Sequence, residues 1–138
     1  MKLMESGEDY LESILMIHNR KGMVRSVDIA NELNVSKASV SVAVHNLQED
    51  GYVVIDGHHE ICLTEEGRKV AEAVYERHLL FSNLLSSLGV SREVALRDAC
   101  RMEHAISAES FAALKGYLIA NGMGLAEGER EGKKEKEG

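Results

Sequence analysis

The chain predicts a mainly α protein, a winged helix-turn-helix domain followed by a second, helical domain. Three observations predict it. Apolar residues recur at three- and four-residue spacing in successive stretches. Two of those stretches are short, meet at a tight turn, and are followed by β-branched residues on both sides of Asp56-Gly57. A later stretch, from about 65 to 88, is long enough to run from the wing into the helices beyond it.

Over residues 9–19 the apolar positions Leu11, Ile14, Leu15 and Ile17 make a first amphipathic helix, ended by Arg20, Lys21 and Gly22. Ser26 is placed to cap a second helix with a stripe of Val27, Ile29, Ala30 and Leu33. Asn34-Val35 makes a turn. Ser36 then caps a third helix over 37–50 that turns Val40, Val44 and Leu47 inward. Two short helices about a tight turn, the second rich in small and hydroxyl side chains, are what a helix-turn-helix requires. Residues 51–64 follow as a hairpin turning at Asp56-Gly57, the wing. The TEEG stretch at 64–67 opens the long helix, with Val70, Val74, Leu80, Leu84 and Leu85 on its apolar face, and Gly89 stops it. Ser91 caps a helix through Ala105, and Ser107 caps a last one to Ala120. Residues 124–138 are mostly glycine, glutamate and lysine, a composition that buries too little surface to offset its ordering entropy. The expected organisation is a DNA-binding domain at 1–72, a helical domain at 73–123 and a disordered tail at 124–138.

A length of 138 residues suits one domain or two small ones. The formal charge of −7 argues against non-specific polyanion binding but not against a reader of DNA, whose affinity depends on a local patch. Two cysteines are too few for a disulfide framework, and no apolar run approaches the roughly 20 residues that span a bilayer. The residues before Asp9 lack the apolar core of a secretory signal, so a cytoplasmic location is expected, with no membrane partner.

Chemistry concentrates in the stretch DACRMEH at 98–104. On a helix, residues three and four apart share a face, so Cys100, Glu103 and His104 direct a thiol, a carboxylate and an imidazole to one spot. That is half of a metal site, and His78 with the pair Asp9 and Glu12 are the segments able to complete it. Each has a plainer reading: Cys100 as a small buried hydrophobe, His78 as an ordinary helix histidine, Asp9 as a charge favouring a helix N-terminus, and Glu12 as a solvated carboxylate. His58-His59 falls at the wing tip, suited to solvent or phosphate, and Cys62 is expected in the core.

Taken together, Asp9-Tyr-x-Glu12, the winged helix-turn-helix, Tyr75-Glu-Arg-His78 and Cys100-x-x-Glu103-His104 resemble the diphtheria toxin repressor and manganese transport regulator family of metal-dependent transcription repressors. The resemblance covers residues 4–122, with its motifs in order. It implies a homodimer, each subunit carrying an N-terminal DNA-binding domain and a helical dimerisation domain with a corepressor metal between them. Asp9 and Glu12 match the acidic pair of the manganese branch, while His78, Glu103 and His104 match residues shared by both branches. Cys100 is the cysteine of the iron branch where the manganese branch has glutamate. The iron branch's ancillary site falls on Ser82 and Leu96, neither a useful ligand, and the chain stops before that branch's third, SH3-like domain.

A thiolate and two imidazoles favour metals later in the Irving–Williams order, and the carboxylates pull towards manganese. Fe(II) is the preferred corepressor on this balance, with Mn(II) second. The helix beginning at Lys37 would enter the major groove of double-stranded operator DNA N-terminus first, placing Ser36, Lys37, Ala38, Ser39 and Ser41 near bases or phosphates, with Arg25 adding charge. Capping and solvation are the plain alternative for Ser36 and Ser39. Catalysis fits poorly: Cys100 and His104 on one helix lack an orienting group, an oxyanion hole and a phosphate loop, so no small organic substrate is expected. A metal-independent winged-helix regulator sensing through the Cys100 thiol is the stronger rival, and it alone would tolerate replacement of His78 and Glu103.

Overall fold

The computed structural model describes residues 5–123. The tail expected over 124–138 lies outside them. The described elements run α1 (Glu5–Lys21), α2 (Ser26–Leu33), α3 (Lys37–Glu49), β1 (Val53–Ile55), β2 (Ile61–Leu63), α4 (Glu65–Ser87), α5 (Arg92–Ala105) and α6 (Ala108–Ala120). The chain divides into two units, one up to Ala73 and the other from Val74, with the division falling inside α4.

In the first unit α1 starts a turn earlier than its apolar pattern, because Glu5 and Glu8 supply a first turn whose negative charge suits the helix N-terminus. Leu11, Ile14, Leu15 and Ile17 are all buried. The helix stops at Gly22, which takes φ +85° and donates its N–H to the His18 carbonyl at 2.8 Å. The α2 cap differs from expectation. Arg25 holds the N-cap position, Ser26 is the first helical residue, and the Asp28 carboxylate accepts the Arg25 N–H at 2.9 Å. Lys21, 2.6 Å from Asp28, together with that N–H holds the Asp28 carboxyl below its ordinary pKa. Val27 is exposed rather than part of the inward stripe, which Ile29 and Ala30 carry. Asn34, at φ 54°, makes the turn into α3, and both it and Val35 donate to the Ala30 carbonyl. Ser36 caps α3 by accepting the Ser39 N–H at 3.1 Å, and Val40, Val44 and Leu47 are buried.

The wing is an antiparallel pair with Val53 opposite Leu63, Val54 opposite Cys62 and Ile55 opposite Ile61. Its connection turns through Asp56-Gly57 and runs on to Glu60. Asp56 Oδ1 accepts the N–H groups of His58 and Glu60 at 2.8 and 3.0 Å, and His59 takes φ 63°. An aspartate side chain organises the loop and the left-handed residue is His59, not Gly57. Ile61 donates to the Val24 carbonyl at 2.8 Å, tying the wing to the α1–α2 connection. Cys62 is half-buried rather than in the core, since it pairs with Val54 on the outer face. Its burial, then the charges of Glu60 and Asp56, push its thiol pKa up, the opposite of a reactive thiol. Thr64 starts α4 by accepting the Gly67 N–H at 3.1 Å while donating to the Gly51 carbonyl at 2.6 Å. Gly67 is required there, because a Cβ would sit 2.0 Å from the Tyr52 carbonyl oxygen.

The second unit has its own core. Leu80, Phe81, Ala99, Phe111 and Leu118 are buried together, with Leu84, Met102, Ile106 and Leu114 packed against them. Phe81 and Phe111 meet edge to face with centroids 6.1 Å apart. Ser91 and Ser107 cap α5 and α6, accepting the N–H groups of Val94 and Ser110.

Candidate metal centre

In the second unit α4 contributes His78 and α5 contributes Cys100, Glu103 and His104. Glu103 is 1% exposed, as deeply buried as the aromatic core. Its Oε2 lies 3.1 Å from Nδ1 of His78, and its Oε1 lies 3.4 Å from Nε2 of His104 without a well-formed hydrogen bond. The His78 and His104 side chains are 17% and 4% exposed. A ligating atom of Cys100, a Glu103 oxygen and a His104 ring nitrogen all lie within 4.8 Å of one another. Cys100 itself is exposed, the open side of the group.

The backbone beneath these donors is held by a residue the metal motif does not reveal. Arg77, next to His78, donates Nη1 to the carbonyls of Glu103 and Ile106 at 3.2 and 2.9 Å, and its guanidinium stands 5.3 Å from the centroid of Phe111. The Glu103 carbonyl lies in the last turn of α5 and Ile106 is the residue that caps its C-terminus, so neither carbonyl has an intrahelical donor. Arg77 therefore fixes the end of the helix that carries Glu103 and His104. No local pattern marks it, since its acceptors are backbone carbonyls 26 and 29 residues away.

The donor set fits a divalent transition metal. A carboxylate taken out of water needs compensation, and the groups around Glu103 are two imidazoles and a thiol, each a good ligand when deprotonated. In the first unit, Asp9 and Glu12 stand three residues apart on α1 and so share one face, with Asp9 partly buried and Glu12 buried.

The first unit's other candidates all lie on the surface. Arg25, Ser36, Lys37, Ala38, Ser39 and Ser41 are exposed. Ser36 and Ser39 are also engaged locally, their hydroxyl oxygens 3.0 Å apart at the head of α3.

Residues 2–60 match the model of the iron dependent repressor N-terminal DNA binding domain, and residues 64–119 match that of the iron dependent repressor metal binding and dimerisation domain. The chain is 38% identical over 102 residues to the HTH-type transcriptional regulator MntR of Geobacillus kaustophilus, covering 74% of this chain and 72% of that protein. It is 36% identical over 115 residues to the transcriptional regulator MntR of Salmonella typhimurium, covering 83% and 73%. Its fold matches the solved manganese regulator SloR with a TM-score of 0.73 at 27% identity, over 82% of this chain. The chain spans about half, 53%, of the length of that solved structure. A winged helix-turn-helix unit followed by a helical unit with clustered metal donors defines the metal-dependent transcription regulators. This chain belongs to the iron-dependent repressor family within that class.

Proposed function

We propose that the chain acts as a homodimeric transcriptional repressor that binds double-stranded operator DNA when Asp9, Glu12, His78, Cys100, Glu103 and His104 share a divalent ion, Fe(II) by preference. The observation that carries this reading is the buried Glu103 carboxylate, 3.1 Å from His78 and 3.4 Å from His104. As packing alone it is a poor choice, since an apolar residue of similar volume there is commonly neutral or stabilising. The burial of Glu12, on the same helical face as Asp9, supports the acidic pair as further ligands.

Bound there, the ion would neutralise the carboxylates and the thiolate and hold together donors from separate helices. The residues of the chain supply the rest. Arg77 keeps the Glu103 backbone in place, and His78 orients the Glu103 carboxylate. Asp9 and Glu12 belong to the unit that carries α3, so ligation by both sets ties the DNA-reading helix to the helical unit. Without it their negative charges repel, and the reading heads sample orientations that miss the roughly 34 Å half-site spacing of one DNA turn. Arg25, Ser36, Lys37, Ala38, Ser39 and Ser41 face solvent, as a surface for DNA must. The homodimer is supported by apolar side chains that the second unit leaves exposed, Leu88 at 71% and Tyr117 at 66%.

Cys100 separates the two metal readings. A thiolate raises affinity for Fe(II) over Mn(II), whereas the three carboxylates, and the manganese named for the solved relative, favour Mn(II). Operator binding titrated anaerobically with Fe(II), Mn(II), Co(II) and Zn(II) decides between them. Fe(II) is expected to activate the wild type at lower free concentration than Mn(II), and Cys100→Glu to shift that order by about tenfold towards Mn(II). Activation of the wild type by manganese first overturns the iron preference; binding indifferent to every metal overturns the switch.

A further inference from the structure

We propose that Val42 is the specificity-determining residue of α3, reading the C5-methyl group of thymine in the major groove. The inference rests on the operator-binding reading above and deepens it. The inward side of α3 is complete, with Val40 and Val44 at 0% and 2% exposure and Leu47 buried below them. Val42 points the other way and is 63% exposed, more than any other large apolar side chain described in the first unit. A β-branched residue in that position adds nothing to the core and is a weaker helix former than alanine. Its use must come from something that covers it.

Its neighbours say what that is. One turn earlier lies Ala38, so the two side chains form a short apolar strip on the outer face of α3. Some of the polar groups beside the strip are engaged within the helix: Ser36 caps it by accepting the Ser39 N–H and its hydroxyl lies 3.0 Å from that of Ser39, and His45 Nε2 lies 3.1 Å from Glu49. Lys37, Ser41 and Asn46 stay exposed for phosphates and polar base edges, and the strip of Ala38 and Val42 is what this face offers to an apolar group. A thymine methyl is the apolar mark that the major groove displays, and apolar side chains contact it without needing a donor or acceptor. The geometry therefore assigns α3 to half-sites in which a thymine methyl lies under Val42.

The test begins with selection of a binding site from a random duplex pool by the full chain loaded with Fe(II) or Mn(II). Each thymine of the selected half-site is then replaced by deoxyuridine, which removes only the methyl group. One buried methyl-sized group corresponds to about fourfold in affinity, or roughly fifteenfold when both half-sites of a dimer are changed. Wild type is expected to show this loss at one thymine position per half-site, and Val42→Ala to bind more weakly and be indifferent to the same replacement. Val42→Thr, which keeps one methyl and the shape, is expected to retain part of the sensitivity. If Val42→Ala keeps the full methyl dependence, or the wild type shows none, the proposal is overturned and the exposed valine serves another contact. If the metal-loaded wild type enriches no sequence, the operator-binding reading itself has failed and Val42 falls with it.

Discussion

Helices α3 and α5 are nearly equal in length, thirteen and fourteen residues, and each begins with a serine whose hydroxyl accepts an N–H three residues on. They place their candidate functional side chains in opposite settings. On α3 the candidate contacts Lys37, Ala38, Ser39 and Ser41 face water, and the buried side is wholly apolar. On α5 the buried side consists of Ala95, Ala99 and a carboxylate, Glu103, with His104 beside it. An exposed hydroxyl costs the fold almost nothing, so α3 can be altered for recognition without endangering stability. A buried carboxylate is costly unless something compensates it. The contrast teaches that the two candidate sites carry different marks: on α3 what protrudes without support, on α5 what is buried against its chemical preference.

The sharpest way to break the contrast is Glu103→Gln. The amide keeps the volume and a hydrogen bond to His78 but is a poor metal ligand. Metal affinity is expected to fall by about a hundredfold or more, while the metal-free variant stays within about 1 kcal/mol of wild type. Thermal melts with and without metal read both. At a hundredfold excess over Kd the wild type should gain about 2.7 kcal/mol from metal, and a variant that gains as much would show that Glu103 is not a ligand. Next in size is Arg77→Met. It retains an apolar stem against Phe111 and loses both bonds to the Glu103 and Ile106 carbonyls, at an expected cost of about 2–3 kcal/mol in urea denaturation of the metal-free protein. An unchanged midpoint would mean that the end of α5 is held without it.

What could be read in advance follows from the range of the interaction. The caps at Ser36, Ser91 and Ser107 are local, a hydroxyl and an N–H three residues apart, and each lies where its pattern placed it. The spacing that puts Cys100, Glu103 and His104 on one face is local in the same sense. The wing loop misled because Asp56-Gly57 favours a tight turn, whereas the Asp56 carboxylate gathers two N–H groups and moves the left-handed residue to His59. At α2 the Asp28 carboxylate reaches back to the Arg25 N–H, so the helix begins one residue away from its apparent serine cap. Longer-range features had no pattern to show them. The acceptors of Arg77 are backbone carbonyls 26 and 29 residues away, and carbonyls carry no sequence signature. Phe81, outside the expected apolar stripe of α4, is buried because Phe111 arrives from another helix to meet it.

The smallest expected effect bears on the α3 side of the contrast, where Ser36 is both helix cap and candidate DNA contact. The two roles separate in a pair of variants. Ser36→Ala removes the acceptor for the Ser39 N–H and should cost about 1 kcal/mol in urea denaturation. Ser36→Asp retains an acceptor and places negative charge at the positive end of the helix, so its stability should equal the wild type or exceed it by about 0.3–1 kcal/mol. At the operator the order should reverse, because the same negative charge meets the phosphates that this end of the helix approaches. Salt dependence supplies the check: the deficit of Ser36→Asp relative to Ser36→Ala should shrink as ionic strength rises. Were the aspartate variant the tighter binder at low salt, the N-terminus of α3 would not be near DNA, and the exposed face of this helix would need another explanation.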